Sequence, residues 1–246
     1  METTQTRHEQ VTVASNVGEL DFENGEVLLV DKPLDWTSFD IVRRVRSLFG
    51  VKKVGHAGTL DPKATGSLIV CTGRMTKEIE RYTAEEKEYE GVMRLGATTA
   101  SFDSETPQAE QMEYGFVTEE KVREVFRSFV GEQLQTPPMY SALKYGGKPL
   151  YKYARKGRTV VREPREVTIT DFELLGVHFP DVHFRVVCSK GTYVRSLVSE
   201  CGRALGCGAF LKELRRTRIG DMVLRGALQI EDLHSLGERY AAMRHP

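Results

Sequence analysis

The sequence lacks the features that mark membrane, secreted and disulfide-bonded proteins. No apolar run approaches the roughly 20 residues needed to span a bilayer. The first 14 residues are polar, without the apolar stretch of a signal peptide. The four cysteines form no Cys-x-x-Cys pair, which in a chain of 246 residues favours reduced, mostly buried thiols. We therefore expect a cytoplasmic protein with no membrane-spanning segment.

Several familiar site motifs are missing as well. The sequence contains neither Gly-x-Ser-x-Gly nor His-Glu-x-x-His, and no lysine stands between Gly66 and Ser67, as a Walker phosphate loop would need. His178, His183 and Cys188 are close in sequence. They lie in an alternating, strand-like stretch, which favours core or surface positions over metal ligands. The sequence therefore predicts no metal site.

The overall composition is that of an ordinary folded protein. Hydrophobic residues make up 40% of the chain and charged residues 28%, values that are usual for globular domains. A chain of this length can bury a core of real size. Residues 1–19 show no hydrophobic periodicity and are predicted to form a disordered tail. Residues 20–246 are predicted to form a single domain.

Charge is unevenly distributed, although lysine plus arginine and aspartate plus glutamate each number 35. Between residues 144 and 166, eight basic residues stand against two glutamates, and tyrosines are interleaved with the first of them. Smaller basic blocks lie at 43–53 and 212–218. This pattern favours a surface that contacts RNA phosphates and stacks bases on aromatic rings. A solvated charged face is the alternative that charge runs alone leave open.

Local patterns predict interspersed helices and strands. Apolar runs at 27–30 and 67–71 are typical of buried strands, and between them Thr37 caps a helix that ends at Gly50. Further strands are predicted at 89–100, 167–174 and 182–188, and further helices at 76–82, 118–130, 191–206 and 230–236. Because hairpin signals outnumber crossover units, the predicted fold class is α+β, with a central, largely antiparallel, mixed sheet flanked by helices.

The most distinctive stretch is residues 55–66, which read Gly-His-Ala-Gly-Thr-Leu-Asp-Pro-Lys-Ala-Thr-Gly. Three glycines and Pro62 predict a rigid, shaped loop rather than a strand or helix, with Asp61 as its one carboxylate. On these residues alone, a turn in which Asp61 caps its own backbone is the alternative. A carboxylate can also act as a nucleophile or stabilise positive charge at a sugar C1′, and neither role needs a cofactor.

Residues 55–66 closely resemble the catalytic loop of TruB-type tRNA pseudouridine synthases. Five further motifs resemble those of the same family, in the same order: residues 30–33, 87–89, 138–144, 191–197 and 214–217. Because a turn aspartate would not predict the other five, the resemblance is specific. It spans about residues 25–221 and implies the pseudouridine synthase catalytic fold.

The resemblance implies a reaction and a partner. The protein is expected to isomerise a uridine in the TΨC loop of tRNA, at the conventional position 55, to pseudouridine. The N-glycosidic bond breaks, the uracil rotates, and its C5 joins C1′, after the base has left the stacked loop. The implied partner is the tRNA TΨC stem-loop. No cofactor is implied, and the default state of the family is a monomer.

The resemblance also implies roles for individual residues. Asp61 would be the essential nucleophile or base, two roles that the sequence leaves open. Tyr89 would stack on the flipped uracil and help to remove its C5 proton. Arg195 would pair with Asp61, and His56 would occupy the space that the uridine vacates.

The remaining implied roles concern the pocket wall and the grip on RNA. Tyr193 and Leu214 would line the uracil pocket, and Lys32 would shape its floor. Residues 136–165, with too little apolar surface to be core, resemble the RNA-gripping insertion of the family. Bacterial members commonly carry a further RNA-binding domain. With about 25 residues after Asp221, we expect no complete C-terminal RNA-binding domain.

Two other functions remain open at this point. An RNA chaperone that folds tRNA with little dependence on catalysis would use the same basic surface. An N-glycosidase would use the same lone carboxylate, although no second acid is evident. The three functions differ in their product, which is pseudouridine, unmodified RNA or free uracil.

Overall fold

The computed structural model describes residues 10–12 and 15–244, in a chain that divides into two compact units. The first unit comprises Met1–Glu85 and Arg215–Pro246, and the second comprises Glu86–Leu214. The fold class is α+β with a large, mostly antiparallel sheet, which confirms the prediction. None of the helices among the described residues is long and apolar enough to cross a membrane.

The elements are numbered in chain order. The α-helices of the described residues are α1 (Ser38–Phe49), α2 (Ile79–Ala84), α3 (Glu119–Ser128), α4 (Leu150–Ala154), α5 (Val194–Leu205) and α6 (Ile230–Arg244). The strands are β1 (Val27–Lys32), β2 (Val54–Ala57), β3 (Ala64–Thr72), β4 (Lys87–Leu95), β5 (Ala97–Thr99), β6 (Gln108–Gln111), β7 (Gly131–Gln135), β8 (Lys144–Tyr145), β9 (Lys148–Pro149), β10 (Arg165–His178), β11 (Asp181–Cys188), β12 (Ala209–Ile219) and β13 (Met222–Val223). Strand β12 runs through the boundary between the two units.

The first unit is built on β3, which pairs antiparallel with both β1 and β2. Every residue of β1 is buried; the apolar run at 27–30 predicts this for the first four residues, while Asp31 and Lys32 are buried polar residues. Helix α1 begins with a capping box between Thr37 and Asp40 and ends at Gly50, whose φ is 65°. Its inner face packs with α6, where Phe49 stacks on Phe22 at 3.9 Å between ring centroids.

The second unit is built on an antiparallel arrangement of strands in the order β4, β11, β10, β7. Helix α3 packs on β10 because its apolar face carries Phe126, which stacks on Phe172 at 3.9 Å between centroids. Phe184 of β11 meets Phe172 edge-on. The two strands predicted at 167–174 and 182–188 are therefore present, and they pair with each other antiparallel.

The loop predicted at residues 55–66 is shorter in the structure. Residues 55–57 belong to β2 and residues 64–66 to β3, so only residues 58–63 form a loop. The prediction of a loop over the whole stretch is wrong at both ends, because Gly55 pairs with Cys71 and Gly66 pairs with Lys32 of β1. The glycines serve close strand packing there rather than chain flexibility.

The predicted N-terminal tail is partly structured. Residues 1–9, 13 and 14 lie outside the described residues. In the described part, Val11 is 2% exposed and bridges Leu28, and Val17 begins a short 3₁₀ helix. These apolar side chains pack on the core of the first unit, although the stretch carries no periodic signal that would predict it.

Most of the other differences between the predicted and the observed elements involve polar or basic strands. Strand β7 reads Gly-Glu-Gln-Leu-Gln, β8 and β9 form a hairpin in the basic segment, and β12 contains the basic block at 212–218. The expected helix at 230–236 continues to Arg244. Each of these strands is held by backbone pairing, which hydrophobic periodicity does not report.

Candidate active site

The Asp61 loop, residues 58–63, joins β2 to β3 in the first unit. The Asp61 carbonyl accepts a hydrogen bond from the Ala64 amide at 3.0 Å and so closes a turn. Asp61 is half-buried, whereas Leu60 before it is 4% exposed. With a core residue on one side and Pro62 on the other, the backbone at Asp61 has little freedom.

Helix α1 fixes the loop immediately before Asp61. Ser38, the first residue of α1, is 3% exposed. Its Oγ accepts a hydrogen bond from the Leu60 amide at 2.9 Å and donates to the Leu60 carbonyl at 3.2 Å. The capping box at Thr37 sets the start of the helix, so the position of Ser38, and through it that of Leu60, follows from the helix end.

The turn between β1 and α1 fixes the loop immediately after Asp61. The Asp35 amide donates to the Pro62 carbonyl at 2.8 Å, and its carboxylate accepts a hydrogen bond from Lys63 Nζ at 2.6 Å. Asp35 has a φ of 64°, a left-handed conformation that is uncommon for a residue with a side chain. The loop is therefore bonded to the same turn and helix on both sides of Asp61.

Arg216 of β12 supports the loop from the inside. Its side chain is 1% exposed, with Nε donating to the Ser67 carbonyl at 2.7 Å and a terminal nitrogen donating to the Gly58 carbonyl at 3.2 Å. Gly66 has a φ of 104°, and a Cβ there would lie 2.2 Å from the Arg216 carbonyl oxygen. Glycine at position 66 is thus required by both its backbone conformation and the close approach of β12.

Lys32 lies beneath the loop and is fully buried. Its Nζ donates to the Pro33 carbonyl at 2.8 Å and the Trp36 carbonyl at 2.6 Å, which stabilises the turn that carries Asp35. Burial lowers the pKa of Lys32 to about 8, with a contribution from Arg216, while the Asp61 carboxylate opposes the shift. Lys32 and Asp61 are therefore close enough to interact electrostatically, and the role of Lys32 in shaping a pocket floor stays a prediction.

His56 lies at the start of the same stretch, in β2. Burial lowers its pKa, and the Arg216 guanidinium lowers it further, so the imidazole is neutral near neutral pH. Its Nδ1 is shielded and has no hydrogen-bond partner among the described residues. The structure thus brings His56, Lys32 and Asp61 together around Arg216; their roles toward a uridine stay predictions.

The other predicted site residues belong to the second unit. Tyr89 is 8% exposed in β4, where it pairs with Val186 of β11. Leu214 is half-buried near the middle of β12. Both positions are those of ordinary sheet residues, and stacking on uracil or lining its pocket remains a prediction for them.

Arg195 is held in a buried polar network at the start of α5. It is 4% exposed and donates to the Ser101 carbonyl at 2.9 Å and to the Tyr140 carbonyl at 2.9 Å. Its Nε lies 3.5 Å from an oxygen of Asp103, which is also buried. Asp103 in turn accepts a hydrogen bond from the Ser101 hydroxyl at 2.5 Å. The predicted pairing of Arg195 with Asp61 stays a prediction.

Tyr193 is placed by a reciprocal pair of hydrogen bonds. Its amide donates to Gln135 Oε1 at 2.8 Å, and Gln135 Nε2 donates to its carbonyl at 3.2 Å. Gln135 is 1% exposed at the end of β7. A buried amide side chain that is satisfied in this way fixes the backbone entering α5.

The basic segment, residues 136–165, contains the β8–β9 hairpin and α4. The rings of Tyr145 and Tyr153 meet edge-on at 6.0 Å between centroids, and the guanidinium of Arg155 lies over the Tyr151 ring. Most of its lysines and arginines are exposed. This surface combines cations with aromatic rings, as RNA-binding surfaces do.

Sequence reasoning missed several residues that organise the site. Arg216 was visible only as part of a motif and a basic block, and Ser38 only as a residue beside a helix cap. Asp103 and Gln135 carried no signal, because their partners lie far along the chain. Buried polar residues whose bonds span long sequence separations are found by structure, not by local pattern.

The sequence-based prediction assigns the chemistry of the site to one carboxylate, that of Asp61. A carboxylate on a fixed loop can attack an electrophilic carbon or accept a proton. Among the described residues, no group of three or more histidine, cysteine, aspartate or glutamate side chains could hold a metal ion.

Comparison with family models identifies related proteins. Residues 46–194 match the model described as TruB family pseudouridylate synthase (N terminal domain). Residues 195–245 match the tRNA pseudouridylate synthase B C-terminal domain. The second match begins inside α5. The two matched ranges together include all the predicted site residues except Lys32.

Individual relatives are similar over most of the chain. The tRNA pseudouridine synthase B of Chlorobium chlorochromatii (strain CaD3) is 48% identical over 213 residues, covering 85% of this chain and 84% of that protein. The protein of the same name from Chlorobium luteolum is 50% identical over 215 residues, covering 85% and 74%. A chain of the archaeal box H/ACA sRNP Nop10-Cbf5 complex superposes with a TM-score of 0.69 at 29% identity, covering 94% of this chain. This chain spans 59% of the length of that solved chain.

Proposed function

The chain belongs to the TruB family of pseudouridylate synthases, and from this premise we propose that it converts the uridine at position 55, in the TΨC loop of tRNA, to pseudouridine. Synthesis of pseudouridine in tRNA is supported by relatives that are named for this activity. The position of the uridine in tRNA and the chemical roles described below are our proposal.

The main support for the proposal is the set of hydrogen bonds that fixes the Asp61 loop. Ser38 bonds the residue before Asp61, and Asp35 bonds the residue after it. Arg216 bonds the carbonyl of Gly58 at the start of the loop. A turn aspartate with a purely structural role needs no such support, whereas a reacting carboxylate must be held close to its productive geometry.

Asp61 begins the reaction in one of two ways. It attacks C1′ and forms an ester while the uracil leaves as an anion, or it removes a proton from the sugar so that the glycosidic bond breaks by elimination. The uracil then turns and C5 bonds to C1′; in the first route the ester bond between C1′ and Asp61 breaks, and in the second the sugar takes its proton back from Asp61. The C5 proton is then lost, and N1 takes up a proton. Substrate and product are isomers, so neither route needs a co-reactant.

The remaining residues take the roles that family membership implies. The target base leaves the stacked loop at a cost of a few kcal/mol, and neutral His56 fills the space it vacates. Tyr89 packs on the uracil, Tyr193 and Leu214 line its pocket, and Arg195 pairs with Asp61. The basic segment binds the RNA through its phosphates.

The test is incubation of the purified protein with an unmodified TΨC stem-loop transcript, followed by mapping of pseudouridine at each uridine. We expect modification at position 55 alone, and none with Asp61→Asn or with a transcript that carries cytidine at this position. Modification at another uridine would contradict the assigned position. Free uracil would indicate a glycosidase, and binding without any product would indicate an RNA chaperone.

A further inference from the structure

A cavity of about 410 Å³ lies beside helix α5 in the second unit. We call it the α5 cavity. Its walls come from α5 and the turn that follows, from β5 and the chain on either side of β6, and from both ends of the basic segment. The volume is in the range of sites that bind small organic ligands. None of the predicted site residues lines it.

Three charged side chains line the α5 cavity: Arg162, Arg203 and Glu200. The Nε of Arg162 is shielded from solvent and has no hydrogen-bond partner among the described residues. Burial raises the pKa of Glu200, although the charge of Arg203 opposes the shift. A shielded donor without an acceptor is costly, and a ligand that places an acceptor group beside Arg162 would relieve that cost.

The apolar wall contains a strained aromatic residue. Phe102 and Met112 both line the cavity. Phe102 has a φ of 64°, a conformation that is a genuine outlier for a bulky side chain and costs on the order of 1–3 kcal/mol. Its neighbours in the chain, Ser101 and Asp103, both contact Arg195. An occupant that packs on Phe102 would therefore lie one residue away from two contacts to Arg195.

These groups together define the chemistry of the occupant. Guanidinium pairs are suited to phosphate, a carboxylate accepts from an amino group, and Phe102 with Met112 offers a face for a ring. Inorganic phosphate alone would leave Glu200 and Phe102 unused. We propose that the α5 cavity binds a nucleotide, with its phosphate on Arg162 and Arg203, its base against Phe102, and a base amino group donating to Glu200.

This occupant differs from the target of the proposed reaction. Adenine, cytosine and guanine carry an exocyclic amino group, and uracil does not. The nucleotide comes either from solution or from an RNA chain, since both sources present the same phosphate and base. Nucleotide binding is measured directly, so a failure of the proposed isomerisation would leave the test of this site intact.

The first experiment titrates the full chain with 5′-CMP, 5′-UMP, cytidine and inorganic phosphate, measured by calorimetry. We expect 5′-CMP to bind at least about tenfold more tightly than 5′-UMP or cytidine, because 5′-UMP lacks the amino group that donates to Glu200 and cytidine lacks the phosphate that binds the two arginines. The variant Arg162→Met with Arg203→Met should lose this preference for 5′-CMP over cytidine. Glu200→Gln should reduce the preference for 5′-CMP over 5′-UMP.

The matched control is Arg158→Met, which removes an exposed arginine of the same basic segment outside the cavity. It should leave all four affinities unchanged, and thermal unfolding should confirm that every variant is folded. Equal binding of 5′-CMP and 5′-UMP by the wild type would overturn the proposal. So would an unchanged 5′-CMP affinity in the double arginine variant, or an equal loss in Arg158→Met.

A second experiment distinguishes the two sources in the variants that bind as expected. If the nucleotide belongs to an RNA chain, the double arginine variant should raise KM for the stem-loop about tenfold with kcat unchanged, and 5′-CMP should compete with the RNA. If it is a free nucleotide, 5′-CMP should not compete with the RNA, and saturating 5′-CMP should alter kcat in the wild type but not in the double variant.

Discussion

The Asp61 loop and the basic segment of residues 136–165 are both rich in turn residues, yet they are held in different ways. The loop contains the buried Leu60, is followed by the buried Ala64, and is bonded by side chains from a helix, a turn and a strand. In the basic segment most side chains after Ser141 are exposed, with Leu150 as the main buried apolar anchor. Its ion pair from Arg155 to Glu105 is exposed.

The difference corresponds to two different tasks. A reacting group must be placed within a fraction of an ångström, and this requires short, buried bonds to rigid elements. Cations that neutralise phosphates act over longer distances and tolerate mobility. The comparison therefore predicts that changes in the loop alter the rate of the chemical step, while changes in the basic segment alter affinity and its dependence on salt.

The largest effect is expected for Asp61→Asn. Removal of the carboxylate should lower kcat by on the order of 10⁴-fold, the scale found when a catalytic carboxylate is lost. The stem-loop should bind with nearly the same Kd, because the basic segment is unchanged. Single-turnover kinetics and a binding titration on the same sample separate the two quantities. A variant that retains more than a tenth of the rate would remove Asp61 from the chemistry.

Local sequence signals were sufficient to predict the elements around the Asp61 loop. They were not sufficient to predict the side chains that hold the loop in place. Strand β1 and helix α1 follow from a buried run and a capping box, and the loop was recognisable because Asp61 stands among glycines and a proline. The support from Arg216 was not predictable, since it lies in a basic strand more than a hundred residues later. Apolar periodicity cannot indicate that a guanidinium is buried against two backbone carbonyls.

The second unit was predicted less completely for a similar reason. The β10–β11 hairpin alternates in hydrophobicity and was found, whereas the polar strand β7 was not. The contacts of Arg195 join three separate parts of the chain, at Ser101, Asp103 and Tyr140. A motif can indicate that such an arginine matters, but its partners are set by tertiary packing.

Arg216→Met should have the next largest effect, because it loosens the loop without touching the carboxylate. The Gly58 and Ser67 carbonyls would each lose a buried donor, lowering the free energy of unfolding by about 2–4 kcal/mol. The displacement of Asp61 should lower kcat about 10²-fold with little change in KM. Measurements of kcat and KM on the stem-loop, with denaturant unfolding, test both parts.

Two further variants test whether the loss of kcat comes from the position of Asp61. Arg216→Lys retains a cation and should recover part of kcat, whereas Arg218→Met, two residues further along β12, removes a bond to the Gly220 carbonyl outside the loop. Arg218→Met should therefore leave kcat near the wild-type value. If both methionine variants lose the same activity, the effect would reflect general damage to β12 rather than positioning of Asp61.

The buried Lys32 beneath the loop predicts a pH dependence of stability. Its pKa falls from 10.5 to about 8 in the folded protein, so between these values the unfolded chain binds more protons. The free energy of unfolding contributed by Lys32 should therefore rise with pH across this window, by about 3 kcal/mol. Urea unfolding from pH 7 to 10.5, compared with Lys32→Met, isolates this contribution. A constant difference between the two proteins would contradict a lowered pKa.

The smallest effect is expected in the basic segment, for Lys148→Ala combined with Lys152→Ala. Both side chains are exposed, so stability should change by less than about 0.5 kcal/mol. Each phosphate contact that is lost should reduce the slope of log K against log salt by about 0.7 for single strands, and kcat should be unaffected. Lys77→Ala, an exposed lysine of the first unit, is the matched control. Because the comparison assigns affinity to the exposed segment and rate to the buried loop, a fall in kcat without any change in salt slope would reverse that assignment.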